Sequence, residues 1–259
     1  MSYAISLRTE LIKAKRSAAF WLCLVGAGFI PGIIFLMYLF KPKNFVPRFK
    51  LMPWENHFMH GWQAFSVFLL PMFVIIVCSQ IPQIEYKNNT WKQVFASPQS
   101  LGNIFFSKFN TILLMIVFLF VMFNVFMICN AVLISFINSD YPFLHSSAKW
   151  DVILKMNLRT FVALLAIISI QYWLSLRIKN FIVPIAVGLA LLISAMIIQQ
   201  WEHIYKVPYA FPLLTFLTLN KTLKGGGNLF QNHELNSIGW FVTITALAFV
   251  DMRFRKERG

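Results

Sequence analysis

Apolar residues are gathered into long unbroken blocks, at 17–40, 61–84, 111–137, 160–176, 181–198 and 235–250, with polar stretches between them. A helix rises about 1.5 Å per residue, so blocks of this length match or nearly match a hydrocarbon core of ~30 Å. The pattern predicts an all-α polytopic membrane protein: one transmembrane domain, 1–259, with six spans. The first span carries Gly26, Gly28, Pro31 and Gly32, residues that permit close helix contact and a kink.

Polar interruptions are informative as well. Residues 85–110 separate the second and third spans. Within them Thr90 and Gln93 have the spacing of a capping box, and Trp91, Val94 and Phe95 fall at i, i+3 and i+4 on one helical face. Pro98 stops the turn, because proline has no N–H to donate and disfavours helical geometry in Ser97 before it. The stretch therefore predicts a short amphipathic helix held tightly between two spans, a device that can take a push from a partner and pass it on. Residues 1–16 predict a second interfacial helix. Ala4, Leu7, Leu11 and Ala14 line one face, while Arg8, Lys13, Lys15 and Arg16 supply positive charge, the form of a helix lying among headgroups.

On the opposite side, loops 41–60 and 138–159 are polar and carry Trp54 and Trp150, which read as interfacial anchors. Loop 199–234 contains an apolar stretch, 209–219, too short to span and broken by Pro208 and Pro212; a re-entrant or surface-lying helix fits it. Residues 224–228, KGGGN, read as a flexible turn.

Composition sharpens this picture. Hydrophobic residues make up 58% of the chain and charged ones only 12%, against about 25% charged in a soluble domain. The net charge of +14 comes from basic residues scattered through short loops and both ends, so it reads as topology and contact with membrane lipids, with no nucleic-acid partner. Placing the N-terminus inside puts 13 of the 23 basic residues in 1–16, 85–110, 177–180 and 251–259, including the tail Arg253, Arg255, Lys256 and Arg258. Both termini are then cytoplasmic.

Candidate chemistry is sparse. No span, with these limits, holds an Asp, Glu, Lys, Arg or His in its interior, so no residue is placed to carry a proton across. Walker A, HExxH and GxSxG patterns are absent, and Cys23, Cys78 and Cys129 form no metal or disulfide spacing. No catalytic residue and no metal site is assigned. Glu55, His57 and His60, or Glu202 and His203, are the groups that an alternative reading would need, that of a membrane-embedded enzyme or assembly factor acting on lipids or peptides at the outer interface. The span amides Asn124, Asn130 and Gln171 either join helices or line a substrate path. Glu85, at the inner end of the second span, has Lys87 and Lys92 as candidate partners, or it caps the interfacial helix or faces solvent. A charge-free membrane domain with a stiff helix on its inner face calls for an energy source supplied in trans.

The interfacial N-terminal helix, the six spans and the loop E-Y-K-N-N-T-W-K-Q-V-F-A-S-P before the third span together resemble the permease subunit of type II exporter-class ABC transporters. Within that class the loop is most similar to lantibiotic-immunity and bacteriocin-export permeases. The resemblance implies that 85–110 holds the coupling helix that docks on an ATPase, with Glu85, Thr90, Trp91, Lys92, Val94, Phe95 and Pro98 at that interface. It implies a second contact from the N-terminal helix, short outer helices at 209–219, and a bacterial cytoplasmic membrane. It further implies two ATPase subunits that hold ATP and magnesium, none of it on this chain, and a second permease, identical or related.

Overall fold

The computed structural model describes residues 3–223 and 230–254. The expected turn at 224–228 and the tail residues Arg255, Lys256 and Arg258 lie outside them. Among the described residues the regular elements are all helices, without strands. The principal helices are α1 (Tyr3–Lys15), α2 (Ala18–Phe40), α3 (Pro53–Lys87), α4 (Trp91–Ala96), α5 (Leu101–Ile137), α6 (Trp150–Arg177), α7 (Ile182–Ile197), α8 (Phe211–Leu223) and α9 (Asn232–Phe254).

Among these, α2, α3, α5, α6 and α9 are long and apolar enough to cross a membrane; α7, with 16 residues, is apolar but shorter. α5 is the longest, at 37 residues or about 55 Å, so it outruns the ~30 Å hydrocarbon core and carries its first turns out to meet α1 and α4. α2 lies along α5, and α6 packs against α3 and α9. α6 and α9 run in the same direction. Arg159 bonds Glu234 near the start of both, and Arg177 bonds Asp251 near their ends. The chain between them must therefore return, and α7 makes that return: it starts beside the end of α3, where Gln83 donates to the Ile178 carbonyl, and leads toward Tyr205 beside α9, where Asn236 donates to the Tyr205 carbonyl.

Helix contacts explain the small residues. A methyl group on Gly26 would meet the Phe73 ring at 2.8 Å, so glycine there sets the approach of α2 to α3, whereas Gly32 has nothing within 4 Å. Pro31 leaves α2 continuous from Ala18 to Phe40. Gly188 on α7 has Ile75 of α3 at 2.7 Å from a notional Cβ, and the Gln171 amide of α6 closer still. Gly188→Val is expected to push α7 off this seat and cost about 1–3 kcal/mol by overpacking. Gly32→Ala should be neutral or mildly stabilising, and thermal melts of the two purified variants would separate them.

The far ends of the helices close over an aromatic plug, so Trp54 is not the exposed anchor expected from its loop. It is buried, stacked edge-on to Phe143, and its Nε1 donates to the carbonyls of Phe143 and Ser146. Trp150 is exposed and starts α6. The loops pack because 41–52 and 138–149 carry Phe45, Phe49, Tyr141 and Phe143, which cluster around Tyr38 and His57. The stretch 209–219 folds mainly as α8, with Phe211, Thr215, Phe216 and Leu219 buried; α8 packs along α6 and α9.

Candidate functional site at the α1 end

α4 is a helix of six residues squeezed between α3 and α5, and its start is not built as a capping box. Thr90 has helical backbone angles (φ −94°, ψ −1°), and its side chain makes no cap hydrogen bond. The reason lies one helix earlier. Asn89 takes the left-handed conformation (φ 53°), Thr90 N–H donates to the Glu85 carbonyl and Asn89 N–H to the Tyr86 carbonyl. This is a Schellman closure of α3. With only three residues between the helices, Thr90 serves the end of α3 and cannot take the extended geometry an N-cap requires. The capping side chain in this region is Ser100, extended at φ −69°, ψ 148°, which accepts from Asn103 N–H at the start of α5.

α4 presents its aromatic side to the bundle. Trp91 stacks on Phe95 at 5.4 Å and leans on Tyr86 at 5.3 Å. A cleft of about 250 Å³ separates this aromatic pair from Trp173, Leu176 and Met252 on α6 and α9. Lys92 and Gln93 face outward and are exposed, Val94 is half-buried, and Pro98 follows in the link to α5. Tyr86 fixes the end of α3 to α6 by donating to the Leu176 carbonyl at 2.6 Å. At the neighbouring end of α9, Asp251 accepts from Trp173 and Arg177.

Below α4 lies a closed ring of four alternating charges. Lys108 contacts Glu10 at 2.8 Å and Glu85 at 2.6 Å; Lys13 contacts Glu10 at 2.7 Å and Glu85 at 3.0 Å. The ring joins α1, α3 and α5, and Lys108 also stands 5.5 Å from the centre of the Trp91 ring on α4. Four elements thus meet at one ammonium group. Burial works against ionisation of Glu10, but Lys108 and Lys13 outweigh it and hold its carboxyl below the usual range. Lys13 is likewise opposed by burial and held above its usual range by Glu10 and Glu85.

This geometry overturns one expectation. Glu85 is neither solvated nor paired with Lys87 or Lys92; it is 1% exposed and bonded to Lys13 and Lys108. Lys87 sits two positions along the same helix, where side chains do not face each other. α1 has a polar protein-facing side. It is formed by Ser6, Glu10 and Ala14, with Ser6 donating to Gln99 and Tyr3 to the Phe106 carbonyl. Ala4 is exposed, Leu7 and Leu11 are half-buried, and Ile5 and Ile12 point outward.

The interiors of the packed helices are not free of ionisable groups. Lys108 and Glu85 lie on α5 and α3. At the opposite end Arg159 and Glu234 form a buried pair at 2.8 Å, with Glu234 also accepting from Thr215 and from Gln231 N–H. The helices extend past the apolar blocks, so these side chains fall inside the packed bundle.

The three span amides all bond between helices. Asn124 and Asn157 exchange two amide hydrogen bonds across α5 and α6, Asn130 donates to the Pro31 carbonyl of α2, and Gln171 donates to the Tyr209 hydroxyl. Of the groups required by the enzyme reading, His57 is wholly buried: its Nε2 meets the Met127 carbonyl and its Nδ1 the Tyr38 hydroxyl. His60 is partly exposed beside Phe45, while Glu55 contacts Lys149. His203 and Glu202 are exposed and 3.7 Å apart. No cluster of three or more potential metal-ligating side chains is formed among the described residues.

Set beside known proteins, residues 6–195 match the sequence model of a family described as ABC-2 family transporter protein. No curated protein and no solved structure matches the chain.

Proposed function

The chain belongs to the ABC-2 family of transporter proteins and is a multi-pass membrane protein, and from that premise we propose that it is the permease of an ATP-driven exporter of an amphipathic peptide or lipid-like cargo. The proposal rests on α4. It is a short rigid helix at one end of the bundle, stacked through Trp91 and Phe95 and placed beside the charge ring that joins α1, α3 and α5. In this reading α4 is the coupling helix. Its exposed Lys92 and Gln93, with Thr90, Val94 and Pro98 around them, meet a partner ATPase that carries ATP and magnesium. α1 is the second contact.

Closure of two ATPase subunits would move α4 and α1 together, because the ring ties both to the same turns of α3 and α5. The long helices would then reorient as rigid bodies. Six crossings are part of the proposal, with α7 as the fifth: the parallel course of α6 and α9 supports it, since an intervening return is needed. An even number of crossings leaves both termini on the α4 side, which is assigned to the cytoplasm of a bacterial inner membrane. A second permease, identical or related, would cover the exposed apolar stripes of α2 (Trp21, Val25, Phe29) and α7 (Val187, Leu191). The resemblance of the loop 85–98 to that of lantibiotic-immunity permeases supports a peptide cargo and a role in immunity.

The test is co-purification from mildly solubilised membranes. Wild type is expected to bring down a Walker-motif ATPase, and the double variant Trp91→Ala, Phe95→Asp to lose most of it, because without the aromatic stack α4 no longer holds Lys92 and Gln93 in place. The variant's own melting temperature controls for folding. Wild type arriving without any ATPase would overturn the proposal.

A further inference from the structure

A second feature at the α1 end lies beside α4, whose Trp91 and Lys92 line part of it. A cleft of about 1500 Å³ opens between the α1–α2 junction, the last turns of α3 and the α6–α7 turn. Arg16, Lys87, Lys92 and Lys179 line it, and all four are exposed. None forms an ion pair among the described residues, and the one carboxylate among the lining side chains, Glu85, is already committed to Lys13 and Lys108. The cleft is therefore a concentration of positive charge with no internal counter-charge.

Its position indicates the ligand. Ala18, Ile84 and Phe181 form apolar wall, and Ala18 and Phe181 stand where α2 and α7 begin their apolar courses. Ala18 and Phe181 are both exposed. Cations thus sit at the depth of headgroups, with apolar side chains directly beneath at the depth of acyl chains. Gln80 adds a neutral hydrogen-bonding group between the two zones. We propose that this cleft binds an anionic membrane lipid, its phosphate held by Arg16, Lys87 and Lys179 and its acyl chains lying along Ala18 and Phe181. A basic site between helices at the membrane surface suits an anionic headgroup by charge, at about a factor of five per cation. An acidic protein surface would match the charge but not the apolar floor. Free phosphate would match the charge and leave the floor empty. The proposal depends on membrane embedding alone and is independent of ATPase docking.

The experiment uses the full chain in neutral detergent. Retention of lipid is read by native mass spectrometry, and melting temperature is measured with phosphatidylglycerol, phosphatidylcholine or glycerol phosphate added. Phosphatidylglycerol is expected to stay bound and raise the melting temperature, and the other two to do neither. The triple variant Arg16→Gln, Lys87→Gln, Lys179→Gln should bind it at least about tenfold more weakly, with its melting temperature in the absence of lipid unchanged. The charge-preserving set Arg16→Lys, Lys87→Arg, Lys179→Arg should retain binding, which keeps the test decisive if the glutamine set folds poorly. Equal binding of phosphatidylcholine, equal effect of glycerol phosphate, or undiminished binding by the glutamine variant would each overturn the lipid site. So would a glutamine variant that keeps its lipid and loses only the co-purifying ATPase, because the cations would then serve a protein partner.

Discussion

Lys108→Met is expected to destabilise the chain by about 3–5 kcal/mol, the cost of removing one partner from a buried ion pair. Lys108 is 1% exposed and bonded to both carboxylates of the ring, so its loss leaves Glu10 and Glu85 sharing Lys13 alone. Lys13 is 34% exposed on its side chain, so water already screens it and Lys13→Met should cost clearly less. The extra change Glu85→Gln in the Lys108→Met background should recover part of the loss, because it removes one of the stranded charges. Two measurements check this. Thermal melts in detergent give the stability order. Limited trypsin cleavage at the exposed Arg8 and Lys15 reports release of α1, which has lost its main tether. A Lys108→Met protein that melts with wild type and keeps α1 protected would show that the ring does not hold these elements together.

The second large effect belongs to the opposite end. Glu234→Ala is expected to cost a similar ~3–5 kcal/mol and to loosen α8. Glu234 is fully buried; it bonds Arg159 at 2.8 Å, accepts from the Thr215 hydroxyl on α8 at 3.2 Å and from Gln231 N–H at 2.8 Å. Its removal strands the guanidinium of Arg159, whose other described side-chain contact is the Thr218 hydroxyl. Hydrogen exchange along 211–219 would rise before the global transition, since α8 loses its link to α6 and α9 together. Arg159→Met with Glu234→Leu, which replaces the pair by apolar side chains, should be far less harmful than either single change, because neither charge is left unpaired. Unchanged protection of 211–219 in Glu234→Ala would show that apolar packing of Phe211 and Phe216 holds α8 without the ion pair.

Much of the architecture could be read from the chain because the bilayer is a simple solvent. Long apolar blocks need a helix to satisfy their backbone groups, and Gly and Pro mark the interruptions. The helices at Tyr3–Lys15 and Trp91–Ala96 were legible by the same periodicity. What periodicity missed is instructive. Periodicity marked Leu7 and Leu11 on one face of α1 but gave no sign that Glu10 and Ser6 are its buried positions, because the surface that α1 meets is polar: Lys108, Glu85 and Gln99. Thr90 read as a cap, yet the closure of α3 through Asn89 had first use of its backbone. Arg159 read as the end of a loop, because a hydropathy pattern counts an arginine as an exit from the membrane. Its partner lies 75 positions away, beyond any local pattern.

The sequence by itself determined that the chain is helical and membrane-embedded, roughly where each apolar helix runs, and that a stiff aromatic turn interrupts the second and third of them. These properties depend on composition and on neighbours within a few residues. Only the tertiary structure decided which charges are buried and with whom: Glu10, Glu85 and Lys108 are buried, come from three helices, and are joined with the part-exposed Lys13 only where those helices meet. The physical reason is that burying a charge is costly unless an opposite charge is brought to it. That pairing depends on how the helices pack, which local sequence does not encode.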